Sequence, residues 1–169
     1  MAPGSVDSRF LSVLMCTGWF GDRRGGTELY ALEVTTELQS RGYGCAIYSP
    51  VLGSLAEEAR SVGIEVVDDL DVLSWAPSVI YGQHHPEMME ALLKFENVPG
   101  IFFCQNARTW HETPPAHPRI RAYIAYDTPT FDRLVREARV APERVSVVHQ
   151  FVDTQRFRPR TALPDRPSR

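Results

Sequence analysis

The stretch Phe10-Leu-Ser-Val-Leu-Met-Cys16, followed by Thr17-Gly-Trp-Phe-Gly-Asp-Arg-Arg-Gly-Gly26, decides the fold. Its first part is a short apolar run, the pattern of a strand buried on both faces. Its second part is a loop holding four glycines, Gly18, Gly21, Gly25 and Gly26. Residues 27–41 then read as a helix. Ala31, Val34 and Leu38 give it a core-facing stripe, and Gly42 is placed to end it. Thr27 is the candidate cap of that helix.

The alternation continues down the chain. Strands are expected at 45–48, 64–67, 78–81, 101–104, 122–125 and 145–148. Helices are expected at 52–62, ended by Gly63, at 86–95, opened by its proline, and at 129–139. Residues 107–118 are irregular, because Pro114, Pro115 and Pro118 block a helix. Strands alternating with helices imply an α/β class domain: a Rossmann-like parallel sheet with helices on both faces.

A length of 169 residues suits one domain with a real core. The composition, 43% hydrophobic and 23% charged, is that of a globular chain. A net charge of −3 argues against nucleic-acid binding through bulk positive charge. No apolar run approaches the roughly 18–20 residues of a membrane span, and residues 1–7 lack the pattern of a secretory signal. Cys16, Cys45 and Cys104 are odd in number and widely spaced, which fits neither a disulfide frame nor a metal site. They read as buried free thiols of a reducing, cytoplasmic compartment. The tail from Phe157 is rich in Arg and Pro and reads as a linker or frayed end, with a basic face that can also touch anionic lipid at a membrane periphery.

Ligands of open parallel sheets bind beyond the carboxyl ends of the strands, so the glycine loop is the first candidate site. Gly25 and Gly26 allow close approach to a helix N-terminus whose free N–H groups and dipole suit a phosphate or carboxylate. Arg23 and Arg24 add positive charge. The loop is not a Walker A loop, since no Lys follows its glycines. It also lacks the GxGxxG spacing, and the second strand ends Tyr48-Ser49-Pro50 without an acid for a ribose. These absences argue against a nicotinamide enzyme.

Four stretches carry a family resemblance. Gly25-Gly-Thr-Glu-Leu-Tyr-Ala-Leu-Glu-Val-Thr-Thr-Glu-Leu-Gln-Ser-Arg-Gly42 resembles the GG-x-E loop and helix that open the family 4 glycosyltransferases of the GT-B fold. Ala141-Pro-Glu-Arg-Val-Ser-Val-Val-His-Gln-Phe-Val-Asp-Thr-Gln-Arg-Phe-Arg-Pro159 resembles the segment that closes their N-terminal domain. Residues 78–101 and 123–135 resemble elements between them. The order is that of the family over about residues 10–160. The chain departs from the pattern at His149-Gln150-Phe151, where the family has Pro-Asn-Gly. It departs also at Asp127, where Ser is usual, and at Gln105-Asn106, where many members have His-Asp.

The resemblance implies the N-terminal half of a GT-B fold. Residues 1–155 would form the acceptor-side domain and 156–169 a linker to a C-terminal donor-binding domain absent from this chain. It implies a transferase that moves a sugar from a nucleotide-diphosphate sugar to a hydroxyl of a glycan, lipid or small molecule, with no metal and no other cofactor. The 169 residues alone would be inactive. Gly25, Gly26 and Thr27 would face the donor phosphates. Trp19, Arg23, His84, Gln105, Asn106 and His111 would line the acceptor site, with Phe20 beside them and His84 the one catalytic candidate. A zinc site of His84, His85, His111 and His117 has no supporting ligand spacing. Asp69-Leu-Asp71 has the form of a metal-binding DxD but sits at a turn, where a solvated acidic pair is the plainer reading. Two other classes stay open: a non-catalytic, stand-alone binding domain, and an unrelated Rossmann-like nucleotide-binding enzyme.

Overall fold

The computed structural model describes residues 11–154 and 157–159. Seven strands form one all-parallel sheet in the order β3-β2-β1-β4-β5-β6-β7. They are β1 (Ser12–Cys16), β2 (Gly44–Tyr48), β3 (Glu65–Val67), β4 (Val79–Gly82), β5 (Gly100–Cys104), β6 (Ile120–Ala125) and β7 (Val145–Val147). The helices are α1 (Gly26–Ser40), α2 (Ser54–Ser61), α3 (His85–Lys94) and α4 (Thr128–Asp132), the last running on into a π turn over Arg133–Glu137. The fold is a Rossmann-like α/β domain, as the alternation of strand and helix patterns predicts. The linker expected from residue 156 onward lies largely outside the described residues, as do residues 1–7.

Successive strand residues face opposite sides of the sheet, and both sides are buried. Leu14, Ala46, Ile80, Phe102 and Ile120 join Met88, Ala91 and Leu92 of α3 in one core. Met15 and Ile47 join Ala31 and Leu32 of α1 and Leu55, Ala56 and Ala59 of α2 in the other. Cys16, Cys45 and Cys104 are free and buried in their strands. Burial raises the Cys104 thiol to about 11, so it stays protonated at neutral pH.

Several local expectations need correction. The buried face of α1 is Glu28, Ala31, Leu32 and Thr35, with Val34 and Leu38 only half-buried. Thr27 does not cap the helix. Gly25 is its N-cap, and no side chain bonds there. Helix α2 starts at Ser54 rather than at residue 52, because Leu52 is bridged to Phe20. Asp22 then caps α2 from the glycine loop, its Oδ1 accepting from the Ser54 amide at 2.8 Å. Asp127, the departure from Ser, closes a capping box with Thr130 at the start of α4. Gly42 and Gly63 end α1 and α2 with φ of +89° and +86°, the left-handed region that favours glycine.

Candidate functional site

The strand order runs from β1 to β2 and β3 on one side and from β1 to β4 on the other. The switch point therefore lies between the carboxyl ends of β1 and β4, where a doubly wound sheet opens a crevice. A cleft of about 590 Å³ sits there. Its walls come from three segments: the glycine loop with the first turn of α1, the start of α3, and the loop after β5.

Geometry at its base is set by one backbone amide. Gly18 N–H donates to His84 Nδ1 at 2.7 Å. An amide N–H can only donate, so Nδ1 is unprotonated and the neutral ring carries its proton on Nε2. The ring is 7% exposed. Burial holds His84 down at about 4, helped by the His111 ring whose centroid lies 4.8 Å away. At neutral pH His84 is therefore a neutral ring with one N–H to give.

The loop after β5 is irregular, as its prolines predict, and it is pinned from three directions. His85 N–H donates to the His111 carbonyl at 2.7 Å. Glu112 accepts from the Gln105 amide at 2.8 Å. Buried Arg133 donates to the Asn106 and Thr109 carbonyls at 2.6 and 2.9 Å, and to Thr113 Oγ1 at 3.1 Å. Trp110, 76% exposed, stands edge-on to His111. Across the cleft Trp19, 47% exposed, leans over Gly21, where a Cβ would fall 2.7 Å from the indole nitrogen.

Three carboxylates line the same cleft: Glu28, Glu87 and Glu112, all buried. The carboxylate of Glu28 folds back over Gly25, leaving no room for a Cβ there, whereas a Cβ on Gly26 would meet open space. Burial raises the Glu112 carboxyl, with the Gln105 amide opposing. Burial raises that of Glu87 as well.

The structure thus brings Trp19, Arg23, Gly25, Gly26, Thr27, His84, Asn106 and His111 to one cleft. Gln105 stands behind the wall. Its side chain bonds to Gln83 and accepts from Gln150 at 3.2 Å. Phe20 is fully buried under the loop and is core, not a site residue. Arg24 turns away to pair with Glu58 of α2 at 2.6 Å. His117 bonds the Arg119 amide, and His85 the Thr113 carbonyl, so neither joins His84. Asp69 caps its own short turn and Asp71 pairs with Lys94, which fits the plain acidic-turn reading. Sequence reasoning missed Glu87, Glu112 and Arg133, and no local signal in the sequence marks them.

His84, His111 and Glu112 do place possible ligand atoms within 4.8 Å of one another. Nδ1 of His84 is occupied by the Gly18 amide, and its other nitrogen carries the proton. Ligation through His84 would need the hydrogen bond broken or the proton lost. As arranged, His84 and Glu112 are each held by a backbone amide, that of Gly18 and that of Gln105.

No family model matches the chain, and no curated protein matches it. Among solved structures it is similar to a glycosyltransferase from Rickettsia africae ESF-5, with a TM-score of 0.64 and 13% identity, over 92% of this chain and 47% of that one. It is also similar to the yeast protein YNL200c, with a TM-score of 0.54 and 14% identity, over 98% of this chain and 79% of that one. The chain spans about half the length of the Rickettsia protein. At these identities the likeness is one of fold, and the shared fold is a Rossmann-like domain. Among the described residues no helix is long and apolar enough to cross a membrane.

Proposed function

We propose that the chain is the acceptor-side, N-terminal domain of a GT-B type glycosyltransferase. The whole enzyme would transfer a sugar from a nucleotide-diphosphate sugar to an acceptor hydroxyl. The observation that carries this reading is the opening of α1 onto the switch-point cleft. The helix starts at Gly26 with no side-chain cap, and Gly26 is exposed and unobstructed. A leaving diphosphate placed there would meet free N–H groups and the positive end of a 15-residue helix. Arg23, exposed at the cleft rim, adds charge. This would neutralise the developing negative charge without a metal.

The acceptor would sit deeper, between His84, Asn106 and His111. Positioning its hydroxyl against the sugar carbon supplies much of the rate. His84, neutral with Nδ1 occupied, would donate a hydrogen bond rather than take a proton. The nucleotide would be held by a second domain, so the 169 residues alone are expected to bind acceptor and not to transfer. Free, buried thiols fit a reducing cytoplasm. The ordered sequence motifs and the shared fold support the same reading.

The test is Gly26→Trp in the complete gene product, assayed with a panel of nucleotide sugars. Open space beside Gly26 predicts an intact fold, while the indole covers the helix terminus. Transfer should fall by about 100-fold or more. Wild-type transfer with undiminished activity in the variant would overturn the loop assignment.

A further inference from the structure

Glu87 is an anomaly that the transfer chemistry does not use. It lies in the first turn of α3 and lines the cleft. It is 9% exposed, and its Oε2 is buried with no hydrogen-bond partner among the described residues. A buried carboxylate oxygen left without a donor is costly, and native folds rarely keep one without a reason. Gly18 keeps space open beside it: a Cβ there would lie 3.2 Å from Glu87 Oε1 and 3.3 Å from His84 Nδ1.

The surroundings narrow what could supply the missing donor. Glu28 and Glu112 are buried in the same walls, and Arg23 is the one Lys or Arg among the lining residues, out at the rim. A phosphate or carboxylate placed beside Glu87, away from the α1 N-terminus and Arg23, would face the buried Glu87 and Glu112 carboxylates in a region of low dielectric. Trp19 and Trp110 flank the opening with exposed aromatic rings. Such rings present apolar faces to the C–H surface of a sugar, and neither indole N–H has a partner among the described residues.

We propose that this cleft takes a neutral, hydroxyl-rich ring, a sugar or cyclitol without an acidic group, and that one of its hydroxyls donates to Glu87 Oε2. The inference rests on the acceptor-site reading above and names the acceptor class. The raised Glu87 carboxyl is the expected state of this side chain before that donor arrives.

The experiment uses the 169-residue chain without nucleotide sugar. Tryptophan fluorescence and ligand-observed NMR follow titrations with methyl glucoside, sucrose and myo-inositol. Glucuronate and inositol phosphate serve as acidic counterparts. At least one neutral ring should saturate with Kd in about the millimolar range, and its acidic counterpart should bind about tenfold more weakly or not at all. Trp110→Ala should weaken the neutral ring by about fivefold. Glu87→Gln, which keeps the side-chain shape, should weaken the neutral ring and shrink the discrimination against its acidic counterpart. Equal or tighter binding of the acidic rings, or no binding by any neutral ring, overturns the proposal. So does selectivity untouched by Glu87→Gln in a folded variant. Transfer by the complete enzyme to a phosphate-bearing acceptor alone would overturn this inference and leave the glycosyltransferase reading standing. Neutral-ring binding without transfer by the complete enzyme would do the reverse.

Discussion

Gly18 N–H and His84 Nδ1, 2.7 Å apart, join the ends of the two strands that flank the switch point. The bond fixes the ring's tautomer and the protonation state of the cleft floor. In solution, nitrogen NMR of the ring should show Nδ1 unprotonated and Nε2 protonated. At about pH 5.5 the ring should still be neutral, since burial and His111 hold its pKa at about 4, against 6.5 for a free histidine. The folded value lies below the unfolded one, so the unfolded chain takes up this proton first. The contribution is complete above about pH 6.5 and is lost as pH falls toward 4. Its full size is about 3 kcal/mol. A ring that titrates near 6.5 in the folded protein would refute the assignment.

Glu87 should show the opposite sign. Burial raises its carboxyl above the unfolded value, so its ionised form weighs against the folded state. This contribution favours folding at low pH and is lost as pH rises through the folded pKa. Glu87→Gln removes the charge while keeping the volume. Chemical denaturation at pH 8 should show the variant more stable by about 1 kcal/mol, because the neutral amide is spared the extra cost of burying an unpaired charge. The gain should vanish near pH 4. A loss of stability at pH 8 would show that the carboxylate has a partner in solution.

How far the sequence reaches depends on the range of the contacts involved. The strands are legible because residues such as Leu14 and Met15 are buried on opposite faces, and a continuous apolar run records that locally. Gly42 and Gly63 are legible because ending a helix is a local matter of φ. The stripe of α1 departs from the apolar pattern because its core face carries Glu28 and Thr35. Neither is apolar, and their burial comes from the cleft and the sheet. The cleft is legible at Gly18, Gly25, Gly26 and His84, since loops after strands are marked by position. Glu87, Glu112 and Arg133 are not. A charged residue reads as surface unless its distant partners are known, and Arg133 is separated from its acceptors by the whole of β6 in the sequence.

Gly82 ends β4 directly beneath α3, and a Cβ there would lie 2.7 Å from Met88 Cβ. That atom is fixed to the helix backbone and cannot rotate away. Gly82→Ala must therefore push α3 off the sheet, and α3 carries Glu87 and the amide of His85 that holds the loop after β5. The expected cost is about 2 kcal/mol, within the range for overpacking a tight core. Thermal unfolding would measure it. The helix shift should also weaken binding in the cleft. A variant as stable as the parent would mean that α3 sits farther out than the structure places it.

Arg133 holds three acceptors of the loop after β5 with one planar guanidinium. Lysine keeps the charge but offers a single point donor on a flexible stem, so it cannot span the Asn106 and Thr109 carbonyls and Thr113 Oγ1 together. Arg133→Lys should therefore behave as a loss of geometry at constant charge. Two of the three acceptors would be left without their charged donor, at a cost of about 2–3 kcal/mol. Because the loop rather than the sheet depends on these bonds, exchange should accelerate locally before the whole domain unfolds. Hydrogen exchange read by mass spectrometry should show faster uptake over residues 106–113, with strands β1 and β4 unchanged. Uniform acceleration across the domain would make Arg133 a support of the core. No acceleration would mean that the prolines and the His85–His111 bond suffice to hold the wall.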